Sequence, residues 1–399
     1  MITIVGGSYR EVCHEPVWNE LYGSGLRAVM ALADLSDGLT YHTLVGPDER
    51  QELENKIRYA QATLHVTSLP ATVHFVYDHP LATPNIYPSI ERLILQKQQL
   101  TVSATNVLVY GILEGESIID GDYVVYDPQS PNNPQPFKSS GSRAQHLALV
   151  LNRGEAYQLT QLTDVGERGQ YLLTQGVEVV IIKQGSAGAT VFTAHETTHV
   201  PAYRTSTVWP IGSGDIFSAI FAHYWMEGRQ SPAIAAGAAS LATAYYCQTQ
   251  APTIPRETAE LHNLHLPELP TTGHRRKNIY LAGPFFTMAE RWLINESRRA
   301  LSHTGNDVFS PLHDVGHGPA ANVVKEDLLA LDQCDVVFAI IDGLDSGTLF
   351  EVGYARAKGT PVVAFVQNET AENLKMLEGS GCVISTDFST AVYNINWLP

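Results

Sequence analysis

The stretch Asp335–Ala355, DVVFAIIDGLDSGTLFEVGYA, decides how the chain is read. Val336 to Ile341 run without a polar residue, the pattern of a strand in a parallel sheet covered on both faces. Asp342, Gly343, Asp345, Ser346 and Gly347 then supply turn chemistry. Thr348–Ala357 reads as a helix, with Glu351 in its first turn near the positive end of the helix dipole. Asp345 and Glu351 thus stand beyond the carboxyl end of a strand, where open α/β sheets bind their ligands. Taken alone, the two acids read equally well as a turn residue and a helix-start residue.

Outward from this stretch, a fresh strand opens at Asn278 (NIYLAG) and an α/β pattern runs on from it. Residues 264–277 carry two prolines, a glycine and the basic cluster Arg275, Arg276 and Lys277, with no periodicity. They read as a linker, the basic cluster being either a solvated domain start or a phosphate patch. Residues 1–263 alternate strands and helices: ITIV at the start, buried strands at Asn106–Tyr110, Tyr123–Tyr126 and Val177–Lys183, and long apolar helices at Asp215–Met226 and Pro232–Tyr246. Alternating strand and helix predicts layered α/β domains with mostly parallel sheets. A length of 399 residues exceeds one ordinary core, so two domains are expected.

The net charge of −16 leaves no basic surplus for a general nucleic-acid binder. Cys13, Cys247, Cys334 and Cys382 are widely spaced and form no CxxC, so neither zinc fingers nor a disulfide framework is expected. His313 and His317 lie four apart but lack a helical frame or a third ligand, so a metal is not expected there. MITIVGG reads as a strand, and no apolar run approaches the ~20 residues that cross a bilayer. The expectation is a cytoplasmic protein that does not engage membranes.

In the first region, Gly212-Ser213-Gly214-Asp215 runs a small-residue loop straight into a helix. Its amides form an anion site, and an Asp beside it can take a hydroxyl proton as a phosphoryl group arrives. The same residues also suit an ordinary helix start. The stretch resembles the second signature of the ribokinase-like (PfkB) carbohydrate and nucleoside kinases. Ile4-Val5-Gly6-Gly7 with Glu11, Val45-Gly46-Pro47-Asp48, Val125-Tyr126-Asp127-Pro128, Leu151-Asn152-Arg153-Gly154-Glu155 and Ile182-Lys183-Gln184-Gly185-Ser186-Ala187-Gly188 follow the family's order over roughly residues 1–260. The resemblance implies Asp215 as general base and Gly212, Ser213 and Gly214 as anion hole. It implies Asn152 and Glu155 as a magnesium-linked pair, Gly185 and Gly188 at the nucleotide, and Glu11 at the sugar. ATP and magnesium are the implied cofactors, and residues 62–94 fall where the family places its β lid. Two positions depart from the pattern: Trp209-Pro210-Ile211 replaces a polar run, and Arg27 stands where the sugar loop ends in Asn. The departures leave open a kinase, a kinase for anionic substrates, and a domain that binds without turnover.

Residues 278–399 resemble the nucleoside 2-deoxyribosyltransferase family, which includes nucleotide N-glycoside hydrolases. The resemblance rests on Ile279-Tyr280-Leu281-Ala282-Gly283-Pro284-Phe285, Phe309-Ser310-Pro311, Glu326-Asp327-Leu328 and the opening stretch. It implies Glu351 as nucleophile, Tyr280 as its orienter, Asp345 at a sugar hydroxyl and Asp327 on the base side. Gly283, Ser346 and Gly347 are implied at the substrate, Asn373 is implied as a residue lent across a subunit interface, and no cofactor is implied. Phe285 and Phe286 suit either base stacking or a core role.

The expected architecture is therefore a ribokinase-like layered α/β domain with a small β lid, followed by a smaller flavodoxin-like (Rossmann-like) α/β domain. The expected protein is a homo-oligomeric enzyme acting on small nucleosides, nucleotides and sugars. A nucleotide sensor gating an N-glycosidase is the alternative.

Overall fold

The computed structural model describes residues 1–95, 97–130, 133–256, 261, 264–270, 276–316 and 318–398. Arg275 and His317 lie outside the described residues. The chain divides into two compact units, Met1–Thr205 with Trp209–Thr271, and Ser206–Val208 with Thr272–Pro399.

The first unit is built on strands β1 (Ile2–Val5), β2 (Tyr9–Cys13), β3 (Trp18–Leu21), β4 (Leu39–Val45), β5 (Thr63–Ser68), β6 (Val73–Tyr77), β7 (Asn85–Tyr87), β8 (Gln98–Tyr110), β9 (Gly115–Asp127), β10 (Arg143–Asn152), β11 (Val179–Lys183), β12 (Ala189–Phe192) and β13 (Thr197–Val200). A nine-stranded sheet has the order β13-β12-β11-β10-β9-β8-β1-β4-β5. β11 through β5 pair in parallel, and β12 and β13 add an antiparallel edge. The helices Gly23–Leu32, Ser213–Ala222 and Pro232–Thr249 bring Leu26, Val29, Ile216, Phe221, Ala235 and Tyr246 into one core with β1, β4 and β11.

The 13-residue strands β8 and β9 cannot be straight. Straight, each would span ~43 Å. Only Gly111–Glu114 join them, a reach of at most ~18 Å, yet Gln98 pairs with Gly115 and Tyr110 with Asp127. Both strands therefore fold back on themselves midway. The ladders skip Thr105 opposite Asp122 and Gln145 opposite Asp122, so the corners of β8, β9 and β10 stack, and Gln145 Nε2 donates to Asp122 Oδ1 at 3.0 Å. Leu100, Val102 and Ile119 from the outer arms pack on Val107, Val109 and Val124 from the inner arms. The strands expected at Asn106–Tyr110 and Tyr123–Tyr126 are the inner arms only. The outer arms alternate buried and exposed residues, so a search for continuous apolar runs passes over them.

A second sheet of four strands, β3-β2-β6-β7, forms the lid. Residues 62–94 supply only part of it. β5 pairs with β4 at the edge of the main sheet, while β2 and β3 complete the lid. Alternation marks a half-buried strand but does not say which sheet it joins. The start of the expected linker also belongs to this unit: Arg204 N donates to Pro267 O and Leu269 N to Ala202 O, both at 2.9 Å.

The second unit has five parallel strands, β14 (Asn278–Ala282), β15 (Asp307–Phe309), β16 (Val336–Ile340), β17 (Val362–Phe365) and β18 (Val383–Ser385). Their order is β15-β14-β16-β17-β18. The order reverses between β14 and β16, the switch point of a flavodoxin-like sheet. Helices Met288–His303, Ala320–Gln333, Ser346–Ala357, Ala371–Gly379 and Phe388–Trp397 connect or follow the strands. Capping chemistry starts several of them, including the reciprocal pair of Thr287 and Glu290. Lys277 is not part of a solvated basic start. It is buried, and its ammonium donates to Ile395 O at 3.1 Å and to Leu398 O, holding the end of the last helix.

Candidate active sites

In the second unit the opening stretch folds as strand, turn and helix in the predicted order. β16 is wholly buried and ends at the switch point, and a turn with Leu344 in the left-handed region leads to Asp345. Asp345 is the N-cap of the helix Ser346–Ala357: its Oδ2 accepts from Thr348 N at 2.8 Å and from Thr348 Oγ1 at 2.9 Å. The cap starts the helix two residues earlier than the sequence pattern indicates. Glu351 consequently lies in the second turn rather than the first, where the dipole supports a carboxylate less.

Tyr280 lies in β14 with no exposed surface, and its hydroxyl donates to Glu351 Oε1 at 2.7 Å. Its ring stacks on Phe309 of β15, with centroids 5.5 Å apart, which fixes the hydroxyl's direction. Burial pushes the Glu351 carboxyl up to about 7; the Tyr280 hydrogen bond opposes this, while Asp327 and Asp345 add to it. Tyr280 itself is held far above the ordinary phenol range by burial and by Glu351.

Asp327 comes from the helix Ala320–Gln333. Its Oδ1 is buried without a hydrogen-bond partner, and burial raises its carboxyl, with Glu326 adding to the effect. A carboxyl so placed is harder to ionise than a solvated one. Tyr280, Glu351, Asp345 and Asp327 thus form one electrostatically linked group. Ser346 and Gly347 open the helix beside Asp345.

Gly283 has a packing reason for its identity: a Cβ there would lie 3.0 Å from Ile294 Cδ1 and 3.1 Å from Ile340 Cβ. Asn373 is exposed and donates to Glu369 Oε2 at 2.8 Å, which holds it at its own helix start. Phe285 and Phe286 stack on each other at 5.4 Å, with Phe286 70% exposed, so a core role does not fit Phe286. Both ring nitrogens of His313 are engaged, Nε2 with Asn295 Oδ1 at 2.8 Å and Nδ1 with Ser310 Oγ at 3.2 Å.

In the first unit, Gly212 caps the helix Ser213–Ala222 with φ +77°, a conformation suited to glycine. Gly214 keeps room for Lys183, since a Cβ would stand 3.2 Å from its Nζ. Asp215 follows in the first turn, buried, and its own carbonyl accepts from Tyr110 Oη at 2.8 Å. Its Oδ2 accepts from Arg27 Nη1 at 2.8 Å, and its Oδ1 accepts from Gln129 Nε2 at 2.5 Å. Burial raises the Asp215 carboxyl, Arg27 opposes the rise, and Asp127 and Glu11 add to it. Arg27 also donates to Glu11 Oε2, while Glu11 Oε1 accepts from Gly23 N at 3.0 Å.

Beside Asp215, Lys183 Nζ and Ser218 Oγ donate to Asp127 Oδ2 at 2.8 and 2.7 Å. Asn152 and Glu155 form a reciprocal capping box at the helix Arg153–Thr160. Burial pushes Glu155 up to about 7; Asp127 adds to this and Lys183 opposes it. The box uses Asn152 Oδ1 and Glu155 Oε2. The remaining Glu155 oxygen suits contact with a magnesium-bound water, not a full ligand set. Gly185 and Gly188 line the β11–β12 turn with positive φ, and a Cβ on Gly188 would meet Val200 O at 2.1 Å.

Gln129, Tyr110, Lys183 and Ser218 are site neighbours that sequence motifs did not assign. The usable signal was Asp127: a buried acid at a strand end requires partners nearby.

Comparison with known proteins agrees with both halves. A pfkB family carbohydrate kinase model matches residues 119–259, and a nucleoside 2-deoxyribosyltransferase model matches residues 279–386. A deoxyribokinase of Salmonella typhi is 38% identical over 56 residues, 14% of this chain and 18% of that protein. An uncharacterized protein of Ureaplasma parvum serovar 3 is 32% identical over 97 residues, 20% of this chain and 60% of that protein. The chain thus spans less than two thirds of either relative. A fructokinase structure from Vibrio cholerae O395, in its fructose-, ADP- and calcium-bound form, superposes with TM-score 0.52 at 16% identity, covering 66% of this chain and 98% of that one. The chain carries, in N- to C-terminal order, a pfkB-type carbohydrate kinase domain of ribokinase fold and a nucleoside 2-deoxyribosyltransferase domain.

Proposed function

We propose that the second unit cleaves, or transfers at, the N-glycosidic bond of a (deoxy)nucleoside or nucleotide, with Glu351 as nucleophile. The observation that carries this reading is the Tyr280 hydroxyl on Glu351 Oε1 at the β14/β16 switch point. The Glu351 carboxylate attacks the anomeric carbon as the bond to the base nitrogen breaks, giving a glycosyl ester. In this reading Asp327, in its protonated form, donates to the leaving base; burial and Glu326 raise its carboxyl. Water, or a second base, then displaces the sugar from Glu351, giving up a proton to the Asp327 carboxylate and restoring both acids. Asp345 uses one oxygen as a helix cap and has the other for a sugar hydroxyl. Asn373, lent by a second copy of the chain, would complete the site in a homo-oligomer.

For the first unit, one of two readings is transfer of the ATP γ-phosphoryl group to a hydroxyl of a sugar or nucleoside. Asp215 accepts the hydroxyl proton, and the amides of Gly212, Ser213 and Gly214 steady the charge. Magnesium held through Asn152 and Glu155 would neutralise phosphate charge. The Vibrio cholerae fructokinase, solved with fructose, ADP and calcium, supports this ligand set. A second reading, a nucleotide-binding sensor that gates the N-glycosidase, is favoured by one observation: both Asp215 carboxylate oxygens already hold side-chain donors.

The test is incubation with a panel of nucleosides and nucleoside monophosphates, with and without ATP, resolving free base and phosphorylated sugar by chromatography. Base release is expected without ATP. Release from no substrate would overturn the reading of the second unit. Phosphorylated sugar would favour the kinase, and a nucleotide-dependent change in base release without phosphorylation would favour the sensor.

A further inference from the structure

The helix Gly23–Leu32 buries Arg27 to 1% exposure. Its guanidinium bridges Glu11 Oε2 and Asp215 Oδ2, with the rings of Tyr22 and Tyr246 at 5.2 and 5.9 Å from Cζ. It also lies flat against Gly212, where a Cβ would stand 2.1 Å from Arg27 Cζ. Gln129 closes the other oxygen of Asp215. An acceptor hydroxyl must reach Asp215 while facing the Gly212–Gly214 amides. That volume holds the guanidinium.

From this geometry we infer that Arg27 is a built-in occupant of the acceptor pocket, so that the first unit as folded binds ATP without passing its phosphoryl group to a neutral sugar or nucleoside. The inference rests on the ribokinase-like reading of this unit and takes its non-transferring form. Charge supports it. One guanidinium faces two buried carboxylates, so the cluster has a negative surplus and does not recruit a phosphorylated acceptor. Moving Arg27 aside would leave Glu11 and Asp215 buried with no cation between them, each keeping one neutral donor, the Gly23 amide or the Gln129 side chain, which favours the guanidinium staying in place. The buried Arg27 Nε has no hydrogen-bond partner, as expected where the two carboxylates, rather than full donor satisfaction, set the guanidinium's position.

The test compares the full-length wild type with Arg27→Asn, which installs the residue that the family resemblance places there. ATP binding is measured by titration calorimetry, and ADP formation is followed with ribose, 2-deoxyribose, fructose and a set of nucleosides. The wild type is expected to bind ATP and to form ADP no faster when an acceptor is added. Arg27→Asn is expected to raise acceptor-dependent ADP formation by about 10²-fold, the lower end of what a positioned general base contributes. The acceptor hydroxyl proton then passes to Asp215, and sugar phosphate appears in equal amount with ADP. If Arg27→Asn does not fold, Arg27→Gln, which keeps an amide donor for one carboxylate, takes its place. Acceptor-dependent turnover by the wild type that Arg27→Asn abolishes would overturn the inference. A folded, ATP-binding variant as silent as the wild type would do the same. Failure of the wild type to bind ATP would overturn the ribokinase-like reading together with the inference.

Discussion

Replacing Tyr280 by Phe deletes the hydroxyl that stands 2.7 Å from Glu351 Oε1 and leaves the ring on Phe309. The bond favours the ionised carboxylate, so its loss makes Glu351 harder to ionise. A hydrogen bond to a charged group contributes ~1.5–3 kcal/mol, which moves the midpoint up by ~1–2 pH units. Wild-type Glu351, at about 7, is roughly half ionised at neutral pH. In the variant the ionised fraction falls to ~1–10%, so kcat/KM for base release drops ~5–50-fold at pH 7. The deficit should close by ~pH 10, where both proteins are mostly ionised. The assay is a pH profile of kcat/KM for base release. An acid-limb midpoint that stays put or moves down in Tyr280→Phe would refute the reasoning, as would a deficit of equal size at every pH.

Three further outcomes are expected. Because burial raises Glu351, its contribution to stability is present below the ordinary value of 4.5 and is lost as pH rises through about 7. Glu351→Gln should therefore stabilise the second unit by up to ~3 kcal/mol at pH 8 and by little at pH 4, read from denaturation at the two pH values. Asp345→Ala should cost ~1 kcal/mol through the lost helix cap, whereas Asp345→Asn should keep the melting temperature, and both should lose base release. Arg168, buried, donates to the carbonyls of Leu162, Arg153 and Thr163. Arg168→Ala should cost ~3 kcal/mol, and Arg168→Lys should not restore it, because an ammonium lacks the guanidinium's fork.

How much of this was legible in the sequence differs between the two units. In the second, the acids lie close along the chain. A buried strand, a turn and a helix leave few ways to place Asp345 and Glu351, and Tyr280 follows from the next strand over. What local pattern missed was the cap: Asp345 starts the helix earlier, which shifts Glu351 by a turn. In the first unit, Gly212–Asp215 was legible as a small-residue loop that opens a helix, but the partners of Asp215 were not. Its partner Arg27 lies 188 residues away, and no periodicity links the two. The folded-back arms of β8 and β9 were hidden for a related reason. Their alternation is that of any half-exposed strand, and only the short Gly111–Glu114 connection forces the corner. Lys277 shows the same limit: its composition reads as a solvated cluster, while its ammonium serves the chain's last helix.

The central claim is that Glu351 is the nucleophile. The most direct measurement is to quench the protein with acid during turnover of a nucleoside that it cleaves, digest it and identify the sugar-bearing peptide by mass spectrometry. The account predicts a sugar ester on Glu351 and neither ester nor base release in Glu351→Ala. Sustained base release by Glu351→Ala, or a sugar adduct confined to another residue, would contradict it.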